Sequence, residues 1–218
     1  MIIPLSHRQY AGQSLPQIAS RLALRSAQRF LHVSVLHGLL LTPETVRPGQ
    51  TLTSFKSGFV HVDQLVREAK DPESGLRLDD VQRWIAAGEE CFGTFVDGVL
   101  ASYIWFSPRK AHLERDIFVQ FDPLYAYSRW AFTRADYRGR SLYGVCKHQA
   151  LVAHAMRGSR GILSVVYAWN RSSLNAASKL GCVRIGRMCT VGTRVWTDAS
   201  CQRAGLRLEH SPLSDHRN

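Results

Sequence analysis

A chain of 218 residues with 45 % apolar and 21 % charged side chains has the make-up of one globular domain, with or without extensions. Its longest apolar run, Phe30 to Leu41, is interrupted by His32, Ser34, His37 and Gly38, which excludes the roughly 20-residue apolar helix needed to span a bilayer. The net charge of +11 and pI near 9.9 favour an anionic partner, whether a polyphosphate cofactor, a nucleic acid, an acidic glycan or a membrane surface, without choosing among them.

The first stretch contains Arg8, Arg21, Arg25 and Arg29 but no acid before Glu44. Such a start fits either an organelle transit peptide or a basic amphipathic helix of the fold. The spacing of Leu15, Ile18, Leu22, Arg25 and Arg29 predicts a helix over Ser14 to Phe30. Alternation from Phe30 to His37 predicts a half-buried strand, and Pro43, Pro48 and Gly49 mark the loop Thr42 to Gln50. Phe55 to Val62 reads as extended. Asp63 is placed to cap a short helix running to Ala69. Asp79 with Gln82 forms a capping-box pattern before Val81, Trp84 and Ile85, and Gly88 closes that helix.

From Glu90 the period becomes two. Asp97-Gly98 joins strands Cys91 to Val96 and Val99 to Phe106 as a hairpin. Ser107 to Glu114 reads as a polar connection, and Arg115 to Phe121 with Leu124 to Thr133 as a second hairpin turning at Asp122-Pro123. A basic turn follows, then a helix from Leu142 to Met156. A continuous apolar strand, Ile162 to Trp169, leads into a second helix, Asn170 to Leu180, and Val183 to Trp196 gives one or two last strands. Residues 1–196 are thus expected to form a single domain, with 1–55 as its N-terminal extension, and residues 197–218, polar and aperiodic, to be a mobile tail.

The five cysteines, Cys91, Cys146, Cys182, Cys189 and Cys201, contain no C-x-x-C pair. That speaks against a disulfide scaffold or zinc site and for reduced thiols in a cytoplasmic protein. No G-x-S-x-G, H-E-x-x-H or P-loop occurs, and His148 and His154 are spaced poorly for a metal pair, so no metal is expected. The sequence offers no clustered aromatic and basic motif for nucleic acid.

The chemistry concentrates in Thr133 to Tyr143, T-R-A-D-Y-R-G-R-S-L-Y. A strand, a tight basic turn and a helix aim backbone N–H groups and about +0.5 of partial charge at an anion. Arg138 and Arg140 add full charges there, and Ser141 is a good N-cap by type.

Ala135-Asp136-Tyr137-Arg138-Gly139-Arg140 resembles the P-E-Y-R-G-K/R segment of the GNAT superfamily of N-acetyltransferases. Ala168-Trp169-Asn170 with Lys179-Leu180-Gly181-Cys182 resembles that family's V-x-x-N and K-x-G-F blocks. The resemblance covers about residues 90–196. It implies an α+β acyl-CoA N-acyltransferase (GNAT-like) fold, with a central mixed, mostly antiparallel sheet flanked by helices. It further implies transfer from acetyl-CoA or another acyl-CoA to an amine by direct attack.

By the same resemblance, backbone groups at Phe132 and Thr133 would hold the pantetheine arm. Arg138, Gly139, Arg140, Ser141, Leu142 and Tyr143 would wrap the pyrophosphate, with Gly144 relieving crowding, and Asn170 would hydrogen-bond the cofactor. Serine and tyrosine at 141 and 143 depart from the pattern, which has glycine at the first and glycine or alanine at the second. Ala177 stands where many relatives carry the tyrosine that protonates the leaving thiolate. Tyr127, sharing a strand face with Arg129, Ala131 and Thr133, and Glu114, with Asp116, are the candidates for acid–base work on the amine. The partners so implied are an acyl-CoA and an amine acceptor, an acidic one if it matches the basic surface; a homodimer is allowed. An acyl-CoA-binding sensor or accessory protein of the same fold, or a basic nucleic-acid-binding module, are the alternatives.

Overall fold

A computed structural model describes residues 33–47 and 55–212. The helix expected over residues 14–30, the start of the first strand and the last six residues of the tail lie outside the described residues. The core is an eight-stranded sheet in the order β10-β9-β1-β8-β7-β4-β3-β2. In chain order its strands are β1 (Val33–Leu41), β2 (Lys56–Phe59), β3 (Glu90–Val96), β4 (Val99–Ser107), β7 (Ala126–Thr133), β8 (Ile162–Tyr167), β9 (Val183–Val191) and β10 (Arg194–Thr197). Every neighbouring pair is antiparallel except β7 with β8. Helices flank this sheet, so the α+β architecture is the one expected.

Each face of the sheet carries its own packing layer. Helix α3 (Leu142–Met156) and helix α4 (Arg171–Leu180) cover one face, where Cys146, Ala150, Leu151 and Leu180 pack on Phe92, Ile104, Phe106 and Ile162. On the other face α1 (Val62–Glu68) and α2 (Leu78–Ala86) set Leu65, Val81 and Trp84 against Cys91, Tyr103 and Trp105. The rest of that second face is covered by a small sheet, β11-β6-β5, of β5 (Ala111–Glu114), β6 (Ile117–Phe121) and β11 (Leu206–His210). Ile117, Val119, Leu206 and Leu208 there meet Leu36, Tyr127, Leu163 and Met188 of the main sheet.

The small sheet overturns three expectations. Ala111 to Glu114 is a strand, not a polar connection. Strands β6 and β7 do not pair as a hairpin; β6 pairs with β5 and β11, and the Asp122-Pro123 corner carries the chain from one sheet to the other. Residues 197–212 are not a mobile tail: a short helix, α5 (Ala199–Arg203), leads into β11. Two cross-strand glycines, Gly38 and Gly186, explain the docking of α5. A Cβ on either would stand 2.8 Å or 2.7 Å from the Cys201 sulfur, so their bare backbones form the dent that Cys201 fills. Leu206 and Leu208 then point inward while Arg207 points out.

Other local expectations shift by a residue or two. Asp97 and Gly98 both have positive φ, 50° and 82°, the mirror-image turn expected of Asp-Gly. Helix α1 begins after His61 and α2 after Arg77, and neither of these caps with its side chain; the acids at 63 and 79–80 fall in the first turns instead, where they suit the helix dipole. The strand of the N-terminal extension is not peripheral: β1 is inserted between β8 and β9.

Candidate functional site

The one parallel pair in the main sheet comes apart. Strands β7 and β8 are in register only at Ala126–Ile162, Tyr127–Leu163 and Ser128–Ser164. At the next residue β7 carries a bulge: Ser128 pairs with Phe106 and Trp130 with Trp105, leaving Arg129 as the extra residue. A bulge bends its strand and breaks the ladder, so β7 follows β4 and leaves β8. Strand β8 stays paired with β1 through Tyr167. A V-shaped cleft opens toward the carboxyl ends of both strands, its walls Trp130 to Thr133 on one side and Val165 to Tyr167 on the other.

The bulge also corrects the face assignment on β7. Tyr127 lies on the same face as Trp130 and Phe132, opposite Ala131 and Thr133, because the extra residue shifts the alternation. Tyr127 itself is 3 % exposed and stacks on Phe121 with ring centroids 4.8 Å apart. Burial pushes its phenol well above the ordinary range. It is a core aromatic before the split, which argues against the acid–base role expected for it.

Arg129, the bulged residue, is tied down. Its guanidinium lies 3.1 Å from the Glu89 carboxylate and over the Trp84 ring. Ser107 also donates to Glu89, and burial pushes the Glu89 carboxyl up.

At the end of β7 a single turn of 3₁₀-helix, Ala135–Tyr137, leads to α3. Gly139 has φ +80° and Ser141 φ +58°. Ser141 therefore does not cap α3: it is left-handed and its side chain makes no cap bond. A side chain in this region costs about 1 kcal/mol, a cost that a glycine at this position would not carry. The first α3 N–H accepted by the chain is that of Val145, bonded to the Ser141 carbonyl at 3.1 Å. The N–H groups of Leu142, Tyr143 and Gly144 thus have no intrahelical acceptor, and no acid stands in the first turn. Gly139 is open, with nothing within 4 Å of where a Cβ would be. Arg138 and Arg140 are exposed at the same place. Arg138 bonds the Thr133 carbonyl through Nε and lies over the Phe132 ring; Arg140 lies over Tyr137. This end of α3 fits an anion.

The remaining expected residues fall around the V. Phe132 and Thr133 are half-buried on its β7 wall. Asn170 caps α4, its side-chain oxygen accepting from the Ser173 N–H at 3.1 Å, and its amide nitrogen is the donor it can offer a ligand. Glu114 is brought to the other wall. It accepts from the Tyr167 hydroxyl at 2.9 Å and from Thr190 at 3.2 Å. Burial and the Glu114 charge both push the Tyr167 phenol up. Tyr167 in turn stacks on Trp169, and Trp169 and Trp130 are each exposed.

Two further residues escaped the sequence reading. Arg134, 8 % exposed, binds Glu68 at 2.8 Å, Asp71 at 2.6 Å and the Leu100 carbonyl at 3.1 Å. It fastens α1 and the Pro72–Ser74 turn to the end of β7. Lys147, 1 % exposed, donates to the Tyr143 hydroxyl and to Ser164. Arg134 lies inside the recognised turn, and only its position just after an apolar strand hinted at burial. Lys147 gives no such hint, since lysine in a helix reads as surface.

No group of residues that could hold a metal is found among the described residues, nor is any helix there long and apolar enough to cross a membrane. No protein-family model matches the sequence, and no curated protein is significantly similar to it. Solved structures do match. An acetyltransferase of the GNAT family from Colwellia psychrerythraea superposes with a TM-score of 0.53 at 13 % identity, covering 72 % of this chain and 55 % of that one. A conserved protein of unknown function from Staphylococcus epidermidis superposes with a TM-score of 0.51 at 8 % identity, covering 92 % and 69 %. Across three such matches the chain spans 55 % to 65 % of the other protein's length. The chain has the fold of the GNAT acetyltransferases.

Proposed function

We propose that this chain is an acyl-CoA-dependent N-acyltransferase acting by direct attack of an amine on the thioester. The observation that carries the reading is the split parallel pair: a bulge at Arg129 opens a V between β7 and β8, and the anion-ready end of α3 stands beside the β7 wall of its mouth. A long ligand with a diphosphate at one end and a reactive acyl group at the other matches both parts. The N–H groups of residues 142–144, with Arg138 and Arg140, would hold the diphosphate. The pantetheine arm would add along the free edge of β7 at Thr133, as a strand adds to a sheet, beside Phe132, whose own carbonyl faces β4 and accepts from Ser102, and the Asn170 amide would bond it from α4.

The amine would approach from the face that carries the small sheet, where Glu114 and Tyr167 line the β8 wall. Glu114 is the group there that can take the proton the amine must lose. A backbone N–H of β7 beside the bulge would hold the oxyanion. Acetyl-CoA is the simplest donor. The acceptor beside Glu114 is a cation before it reacts, and the exposed basic surface serves the donor phosphates.

Isothermal titration with acetyl-CoA tests the reading. The wild type should bind, and Arg138→Glu and Asn170→Ala should each weaken binding at least fivefold. No binding by the wild type would sink the assignment. Binding without release of CoA across a broad amine panel would replace it with an acyl-CoA-binding accessory protein.

A further inference from the structure

Lys147 is a buried ammonium held by two neutral hydroxyls. Its Nζ donates to the Tyr143 oxygen at 3.3 Å and to the Ser164 oxygen at 3.2 Å, and it has no carboxylate partner among the described residues. Burial disfavours its charge, but the neighbouring Tyr143 oxygen and Cys182 sulfur hold the ammonium above its ordinary value. Packing alone gives no reason for such a group: an apolar side chain of the same size would avoid the desolvation cost.

Its position does give one. Ser164 is the last β8 residue paired with β7, so the Lys147 Nζ lies at the vertex of the V, on the face covered by α3. Tyr143 lies one helical turn before Lys147 on the same side of α3. It is half-buried, and its hydroxyl oxygen accepts from Nζ, which leaves the O–H free to donate. Tyr143 is the bulky residue found where the family pattern has a small one. Ala177, where many relatives carry the proton-donating tyrosine, is 2 % exposed and has no hydroxyl.

Resting on the reading of the V as the acyl-CoA cleft, we infer that Tyr143 and Lys147 form the leaving-group site: the Tyr143 hydroxyl, polarised by the Lys147 ammonium, meets the CoA sulfur and protonates it. The amine nitrogen forms its bond to the thioester carbon. The C–S bond then breaks and its electron pair stays on sulfur. The Tyr143 O–H proton passes to that sulfur, and the phenolate left behind is balanced by Lys147. The surplus proton of the amine goes to Glu114 or to water, and Tyr143 regains its proton from solvent. The products are the amide and CoA thiol. A cation fixed at the point where charge develops is the kind of preorganisation that lowers such a barrier.

The test needs no acceptor. CoA is bound to the full chain and its thiolate absorbance is followed against pH, with the desulfo-CoA complex as the blank. In the wild type the bound thiol should ionise about tenfold more readily than free CoA. In Lys147→Met and Tyr143→Phe at least fivefold of that gain should vanish while CoA still binds. Lys147→Met should also unfold at a temperature no lower than the wild type, because it removes a buried charge; a residue kept for structure alone would not separate the two effects. An unchanged thiol titration in both variants overturns the inference and leaves the cleft assignment standing. Absence of CoA binding by the wild type overturns both.

Discussion

Replacing Arg134 by methionine removes the tie between the helical layer and the end of β7. The Arg134 side chain is 10 % exposed and that of Glu68 15 %, so this pair is nearly dry. Loss of the guanidinium leaves the Glu68 carboxylate without its partner and the Leu100 carbonyl without its donor. Stranding one member of a fully buried pair costs 3–5 kcal/mol. Glu68 retains some access to water, which reduces its share to about 2 kcal/mol. The carbonyl adds about 1 kcal/mol. Asp71 is solvated enough to be left out. The expected loss is therefore about 3 kcal/mol, or roughly 6–12 °C in Tm for a domain of this size. Urea unfolding at pH 7 measures it, and Glu68→Gln in the Arg134→Met background should restore part of the loss by removing the orphaned charge. A loss below about 1 kcal/mol with an unchanged m-value would refute the reasoning. The Asp71 carboxyl is held below its usual range by the Glu73 N–H and then by Arg134. The stability it adds is present above its unfolded pKa and is lost as the pH falls below about 4.

Ser141 at φ +58° should tolerate glycine without loss of Tm, since relief of the left-handed conformation offsets the flexibility glycine gives the unfolded chain. Ser141→Val, β-branched in that region, should lose several degrees; equal melting of the two variants would contradict the conformational argument. His154 is packed between Phe106 and Phe59 with its Nε2 buried and unpartnered, and burial lowers its pKa. The unfolded chain takes up this proton below pH 6.5 while the folded one resists, so stability present above pH 6.5 declines as the pH falls. Melting at pH 7.5 and 5.5 should show that decline, and His154→Phe should flatten it, leaving the part due to His37, whose pKa is lowered in the same direction. Deletion of Arg129 together with Glu89→Gln should give a folded protein that no longer binds CoA, because every other β4–β7 pair keeps its register while the bend is lost. Native-like binding by titration calorimetry would show that the bulge does not open the cleft.

The part of the fold that was legible in the sequence is the part built from local signals. Asp97-Gly98 fixed one hairpin, and the apolar run at Ile162 with Asn170 and Gly181 fixed a strand and both ends of a helix. The small sheet was hidden because its strands find their partners far along the chain: Leu206 pairs with Phe121 and Leu208 with Val119. Leu206-Arg207-Leu208 does alternate, but three residues at the end of a polar stretch are a faint signal. The turn of the candidate site was visible as R-G-R, while its backbone geometry was not; serine at 141 suggested a cap, and the chain uses the position for a left-handed residue instead. The bulge at Arg129 leaves no mark in residue type. The alternation that puts Tyr127 on a face with Arg129, Ala131 and Thr133 fails for that reason, since one extra residue changes which neighbours share its face. Glu114 reads in the sequence only as a charge at the end of a polar connection, and its bonds to Tyr167 and Thr190 depend on that connection being a strand.

The cleft exists because two restraints on neighbouring strands disagree. Strand β8 is paired with β1 along its whole length, Leu36 to Leu41 against Tyr167 to Ile162. It cannot move sideways without breaking that ladder. Strand β7 is paired as firmly with β4 up to Thr133, and the bulge turns it with β4. Between two strands each bound on its far edge, the gap cannot close by a small shift of either one. The unpaired backbone in the gap would be costly if it were buried. It is tolerable where a ligand can take it up or water can reach it. A gap of this kind is therefore preformed, and a ligand taken up there would not have to order its walls. The same argument gives the N-terminal strand its importance: β1 is the restraint that keeps β8 from following β7.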